Sequence, residues 1–149
     1  MGIIKINVTS VTENGYHLNY TVIIIQQLGG NMNQIIKNIE FSTPLNMETL
    51  VIYQDGQVVS RTLAQNKHMN MTLFAFDKNE EISSHASSGD AMVYILDGES
   101  EVTIGDDVFT VKAGETIVMP ANISHALFAK ERFKMLLIVV FKPAEVVNF

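Results

Sequence analysis

Two stretches decide the reading of this chain: NEEISSHASSGDAMVYILDG (Asn79–Gly98) and GETIVMPANISH (Gly114–His125). In the first, the chain enters a strand at His85, passes the small residues Ser87-Ser88-Gly89, and returns along Ala91–Leu96 to an Asp97-Gly98 turn. The second reads as a strand, Thr116–Met119, then a turn at Pro120, then a strand ending in His125. Working outward, Glu99–Ala113 holds fifteen residues, enough for the strands Glu101–Ile104 and Val108–Val111 around a Gly105-Asp106-Asp107 turn. Asp-Gly between apolar runs is a hairpin signal, so Ala91–Leu96 and Glu101–Ile104 are expected to pair tightly. Upstream lie Gln57–Leu63 and Met69–Phe76; downstream lie His125–Ala129 and Phe133–Phe141. Short strands at this spacing make a sandwich or a barrel.

The two stretches resemble the paired motifs of the cupin superfamily, G-x5-H-x-H-x(3–4)-E-x6-G and G-x5-P-x4-H-x3-N. Gly114, Pro120 and His125 match the second, and His85 and Gly98 match the first. The resemblance covers roughly residues 47–141 and implies an all-β fold, a double-stranded β-helix (jelly-roll) barrel with an extra N-terminal segment. Asn79 replaces the glycine that opens the first motif, a mild departure because Asn tolerates the left-handed conformation.

The resemblance also carries ligand positions, and here the chain departs from the pattern. His85 matches the first histidine and His125 the last. Ser87 stands at the second histidine, Ala91 at the glutamate and Ala129 at the final asparagine. Two imidazoles are a thin site for Zn, Fe, Mn or Ni, since Zn sites use three or four protein ligands. Asp90 is the candidate replacement carboxylate. It is one residue out of register, and a one-residue slip turns a strand side chain to the other face unless a bulge re-aims it. The candidate metal set is therefore His85, His125 and Asp90, with Ser87, Ala91, Val93, Met119 and Leu127 as pocket residues. His17 and His68 have no partners in sequence. Met69, Met71, Met92, Met119 and Met135 read as core filling, with a His–Met copper(I) site as the sharper alternative.

Three functions compete. The first is a small-molecule-binding barrel with little or no catalysis. The second is a metal-dependent dioxygenase, isomerase or decarboxylase of the kinds the resemblance implies. The third is a metal-free enzyme with His85 or His125 as general base. A small-molecule ligand is expected in each, with no cofactor beyond a divalent metal.

Composition narrows the field. The chain has 149 residues, 47% hydrophobic and 17% charged, with a net charge of −6. It lacks the basic run that nucleic acid would require. With no cysteine, disulfides and thiolate chemistry are excluded. Hydrolase, kinase and glycosidase motifs are absent. The apolar run Val22–Ile25 is too short for a signal-peptide core or a membrane span, so a soluble cytoplasmic protein with no membrane partner is expected.

Residues 1–46 read as an N-terminal extension to a barrel domain at 47–149. Codons for Leu28-Gly29-Gly30-Asn31 can spell a ribosome-binding sequence ahead of Met32. Residues 1–31 are then either an upstream leader or a genuine strand that pairs with a neighbour. Residues 33–41 fit a strand or a helix, and Asn46–Leu50 fits a short capped helix. Finally, Phe133–Phe141 is apolar on both faces: Phe133, Met135, Leu137, Val139 and Phe141 on one, Leu136, Ile138 and Val140 on the other. Something must cover the outer face, and a homodimer or the N-terminal segment is the expected cover.

Overall fold

The computed structural model describes residues 2–11, 17–26 and 34–143. Its strands are β1 (Gly2–Val11), β2 (His17–Gln26), β3 (Val58–Gln65), β4 (Met69–Phe76), β5 (Glu81–His85), β6 (Asp90–Asp97), β7 (Glu99–Ile104), β8 (Asp107–Lys112), β9 (Thr116–Met119), β10 (His125–Phe128) and β11 (Phe133–Val140). They form a seven-stranded sheet, β1-β2-β3-β4-β11-β6-β9, and a four-stranded sheet, β5-β10-β7-β8. This is the all-β jelly-roll barrel expected from the two motifs. Within residues 1–31, which match no motif, two strands lie antiparallel to each other. Of these, β2 runs parallel to β3 of the same chain, with Val22 opposite Val58. Met32 lies outside the described residues.

Alternation builds the barrel interior. Along β6, Ala91, Val93 and Ile95 are buried while Asp90, Met92 and Tyr94 are exposed, the period-2 pattern of a strand with one face on a core. Those inward residues join Val58, Phe76, Val102, Val111, Met119, Leu127, Phe133, Met135 and Val139 in one apolar cluster. Phe76 and Phe133 stack within it, centroids 4.4 Å apart, a contact worth about 0.5–1.5 kcal/mol beyond burial.

Asp97-Gly98 does not close a hairpin. β6 lies in the large sheet and β7 in the small one, so the dipeptide is a corner where the chain changes sheets. Gly98 has φ +73°, and a Cβ there would sit 2.3 Å from the Arg132 carbonyl oxygen. The turn forms as its chemistry requires, but a local dipeptide does not specify the distant partner of the strand it ends. The tight hairpin is the next one, β7 with β8, where Ile104 faces Asp107 across Gly105-Asp106. Asn79 adopts φ +66°, the conformation its glycine counterpart would take.

The outer face of the large sheet is covered in part by the chain itself. A second cluster joins Val51, Val59, Leu63, Leu73 and Ala75, with Ile39, Leu50, Tyr53 and Leu136 packed against it. The segment before β3 lies here. Residues 33–41 give neither of the expected elements in the described part: Asn38 has φ +59° and Ser42 φ +58°, and left-handed residues interrupt helix and strand alike. Asn38 Nδ2 donates to the Thr62 carbonyl at 2.7 Å and Lys37 N to the Leu63 carbonyl at 2.7 Å, so this segment caps part of β3's edge. The capped helix at 46–50 is a single 3-10 turn, Met47–Leu50, with the Asn46 side chain accepting from Glu48 N. Tyr53 anchors the connection from this turn to β3. Its hydroxyl donates to Asp97 Oδ2 at 2.6 Å, and Lys134 and Arg132 lie over its ring. Burial and that bond push the phenol's pKa well above its ordinary value.

The cover is incomplete. Leu136 is packed, yet Met92, Tyr94, Val118 and Val140 remain exposed on the same face. The apolar outer face read in β11 is therefore split between a part that its own chain covers and a part left open.

Arg132 also ties the barrel's rim. Its Nε donates to Asp77 Oδ1 at 2.5 Å and its Nη2 to Asp55 Oδ1 at 2.6 Å, while Gly56 N donates to Asp77 Oδ2 at 2.5 Å. The Arg132 bond first, then the backbone N–H bonds of Gly56 and Lys78, hold the Asp77 carboxyl at about 2, below its ordinary 3.8. A depressed carboxylate pKa stabilises the fold above its unfolded value and loses that contribution as pH falls through the folded one. The urea midpoint should therefore drop as pH falls from 3.8 toward 2, and Asp77→Asn should lower the midpoint at neutral pH while flattening that acid leg.

Candidate functional site

His85 and His125 meet because β10 pairs antiparallel with β5, which sets His125 directly opposite His85. Opposed residues on one face of a ladder are side-chain neighbours. The ring centroids are 4.6 Å apart at 66°, edge to face. His85 closes β5 and His125 opens β10; the expectations that a strand starts at the first and ends at the second are both reversed, because Glu81–His85 and His125–Phe128 form the pairing runs. His125 is buried at 3% exposure, and His85 is exposed at the mouth.

Both rings are oriented the same way. His85 Nδ1 lies 2.9 Å from the Ser83 carbonyl oxygen, and His125 Nδ1 lies 2.9 Å from that of Ile123. A carbonyl only accepts, so each Nδ1 carries the hydrogen of that bond. In the neutral ring the lone pair is then on Nε2. Burial foremost, and the neighbouring His85 to a lesser degree, lower the His125 pKa against the opposing pull of its Ile123 bond.

The rings open into a cavity of about 380 Å³. Of the residues expected there, Ser87, Ala91, Met119 and Leu127 line it with the two histidines. Val93 does not; it is fully buried in the core cluster. Asn70, Ile82, Leu137, Val139 and Phe141 line the cavity in addition to the expected set. Asn70 carries a usable signal: it shares a face with Phe74 and Phe76 along β4, a polar residue in an inward row.

Asp90 is not brought to the histidines. β6 has no bulge at its start, so Asp90 falls on the exposed face opposite Ala91. Its Oδ1 accepts from Ala121 N at 2.8 Å, and Asn122 N donates to the Ser87 carbonyl at 2.7 Å. The carboxylate thus tethers one motif's loop to the other's. Gly89 completes that loop: a Cβ there would meet the Val140 carbonyl oxygen at 2.5 Å.

The metal implied by the motifs can be tested against these donors. Among the described residues no three His, Asp or Glu side chains form a cluster. Around the imidazoles the cavity offers only Ser87, Ser88, Asn70 and the Met119 thioether. A tightly held Zn, Fe, Mn or Ni ion needs three or four good ligands, and this set does not fit one.

A sequence profile of the Cupin domain matches residues 72–141. A conserved protein of unknown function from Streptococcus pyogenes is 46% identical, with a TM-score of 0.74, over 76% of this chain and 100% of its own. A cupin superfamily protein from Desulfitobacterium hafniense is 33% identical, with a TM-score of 0.69, over 72% of this chain and 98% of its own. The chain belongs to the cupin superfamily. An uncharacterised protein from Streptomyces coelicolor is 25% identical over 81 residues, 54% of this chain and 76% of that one. This cupin thus keeps its family's barrel and the two motif histidines that face each other, with the other ligand positions changed. Among its described residues no helix is long and apolar enough to cross a membrane.

The ring geometry gives a direct expectation. In ¹⁵N-edited spectra His125 should show the Nδ1–H tautomer and titrate below 6.5, its ordinary value. The unfolded chain then binds more protons at this position below 6.5, so the contribution of neutral His125 to stability is lost as pH falls. An Nε2–H tautomer, or a midpoint above 6.5, would contradict the bond to Ile123 and the burial.

Proposed function

We propose that this cupin binds a small molecule in the cavity over His85 and His125 and does so without a resident divalent metal. The observation that carries the reading is the pair of imidazoles, each fixed by a carbonyl two residues back and facing a mainly apolar cavity that holds no carboxylate. A pocket of about 300–1,000 Å³, largely apolar with a few convergent polar groups, is the usual form of a small-molecule site. The competing reading is a metal-dependent cupin enzyme. It is favoured by the two imidazoles that line one cavity with ring centroids 4.6 Å apart.

A library screen followed on the His85 and His125 ring signals tests the binding reading; a broad library that moves neither ring overturns it. Metal analysis of untagged protein separates the two readings. Metal should be substoichiometric and lost on mild dialysis, whereas one tightly held ion per chain favours the enzyme. Ser87 and Ala91 both face the cavity with the histidines, so Ser87→His with Ala91→Glu should create tight metal binding where the natural chain has none.

We also propose that a second copy covers the open strip of Met92, Tyr94, Val118 and Val140. These residues continue the face whose other half the chain's own segment buries, and they are uncharged. Several apolar side chains in water favour a closed two-fold pair. Sedimentation at micromolar concentration should give a dimer, and Val118→Asp should shift it toward monomer.

A further inference from the structure

We infer that the ligand is an uncharged molecule that presents two hydrogen-bond donors on neighbouring atoms, a vicinal diol in the simplest case, attached to an apolar body. The inference rests on reading the cavity as a binding site and specifies what that site accepts.

The argument starts from the lone pairs. Each Nδ1 is committed as a donor to a backbone carbonyl at 2.9 Å. Each neutral ring therefore has one remaining polar function, an acceptor at Nε2. The two rings that carry them lie 4.6 Å apart, edge to face, and both line the cavity. A ligand that leaves the buried His125 acceptor unpaired forfeits its desolvation cost, and one that also reaches the exposed His85 ring carries a second donor. Donors on adjacent atoms suit acceptors on adjacent rings.

Charge is selected against in both directions. No Lys, Arg, Asp or Glu lines the cavity. A carboxylate or phosphate would bring its lone pairs against those of two imidazoles with no cation to compensate. An ammonium has donors but would enter with no carboxylate to replace its hydration, and burying an unpaired charge is the costlier transfer. Asp90 cannot supply that carboxylate, because it lies on the outer face and accepts from Ala121 N.

The remaining polar groups suit a hydroxylated head. Ser87 Oγ accepts from Gly89 N at 3.1 Å, which leaves its own hydrogen available to donate. The Asn70 amide offers both a donor and an acceptor. Ile82, Leu127, Leu137, Val139 and Phe141 supply the apolar wall for the body.

The test uses the full chain at about pH 7.5, above the ordinary imidazole range, with three probes of equal chain length: 1,2-hexanediol, hexanoate and hexylammonium. Binding is read from the ring carbon-bound protons of His85 and His125. The diol should move both rings and saturate at least about tenfold lower in concentration than either charged probe. His85→Phe, at the exposed ring, and His125→Phe should each weaken the diol about tenfold while folding is checked by the amide spectrum. Tighter binding of hexanoate or hexylammonium with ring shifts overturns the ligand class and leaves the cavity as a binding site. Diol binding that neither histidine variant alters, or no ring shift with any probe, also overturns the inference. The library screen decides the binding reading separately.

Discussion

Both edges of β11 are hydrogen-bonded, to β4 on one side and β6 on the other, and both of its faces carry packed side chains. A strand so placed has its backbone groups engaged on both sides and little of its surface left to water, so its neighbours must come to it closely. They do so at glycines. Gly98 abuts the Arg132 carbonyl at one end and Gly89 abuts the Val140 carbonyl at the other, each too near to allow a Cβ. These two residues bracket β6. Between them the first motif is pinned to β11 at both ends, and the loop that carries Ser87 inherits its position from that contact. The second motif is held to the same loop through Asp90 with Ala121 and Ser87 with Asn122. The facing histidines are thus the product of one ladder, β5 with β10, held to a frame set by another.

Much of this is legible in the residues. The alternation of Ala91, Val93 and Ile95 with Met92 and Tyr94 gives β6 its faces, and the two-faced run Phe133–Phe141 marks a strand whose outer face its own chain covers in part. Asn79 betrays a left-handed turn by its place in the motif. These are local or periodic signals. The features that escape are non-local. Asp97-Gly98 announces a turn but not that β7 leaves the sheet of β6. Asn70 enters the cavity through β4, opposite Val139, a pairing of residues far apart in the chain. Asn38 and Ser42 give no periodicity because each reverses the backbone. Asp90 is an open question in sequence, since strand register sends it outward and only a bulge would return it.

The chemistry of the site is set by the bonds its polar groups already make. In the family's pattern a carboxylate and a further imidazole share the work of holding an ion. Here Ala91 and Ser87 stand at those positions, and the Asp90 carboxylate is engaged with a backbone N–H on the other side of the sheet. The surviving imidazoles are each held by a carbonyl two residues back on their own segment. Such bonds fix the tautomer and the ring plane whether or not a ligand is bound. The cavity is preorganised for recognition through acceptors rather than for coordination by anions.

The central place of β11 also bears on how the protein is made. It is the last of the described strands in sequence, yet it lies in the interior of its sheet, between strands that a ribosome would deliver much earlier. Until it emerges, β4 and β6 each present an unpaired edge, and the apolar rows of Phe74, Phe76, Val93 and Ile95 lack Phe133, Met135 and Val139. A nascent chain cannot complete its large sheet piecemeal, because β11 joins the two halves. Such chains expose aggregation-prone surface during synthesis. The interval between the synthesis of β4 and that of β11 is therefore the period in which this barrel's sheet edges stand open to wrong partners.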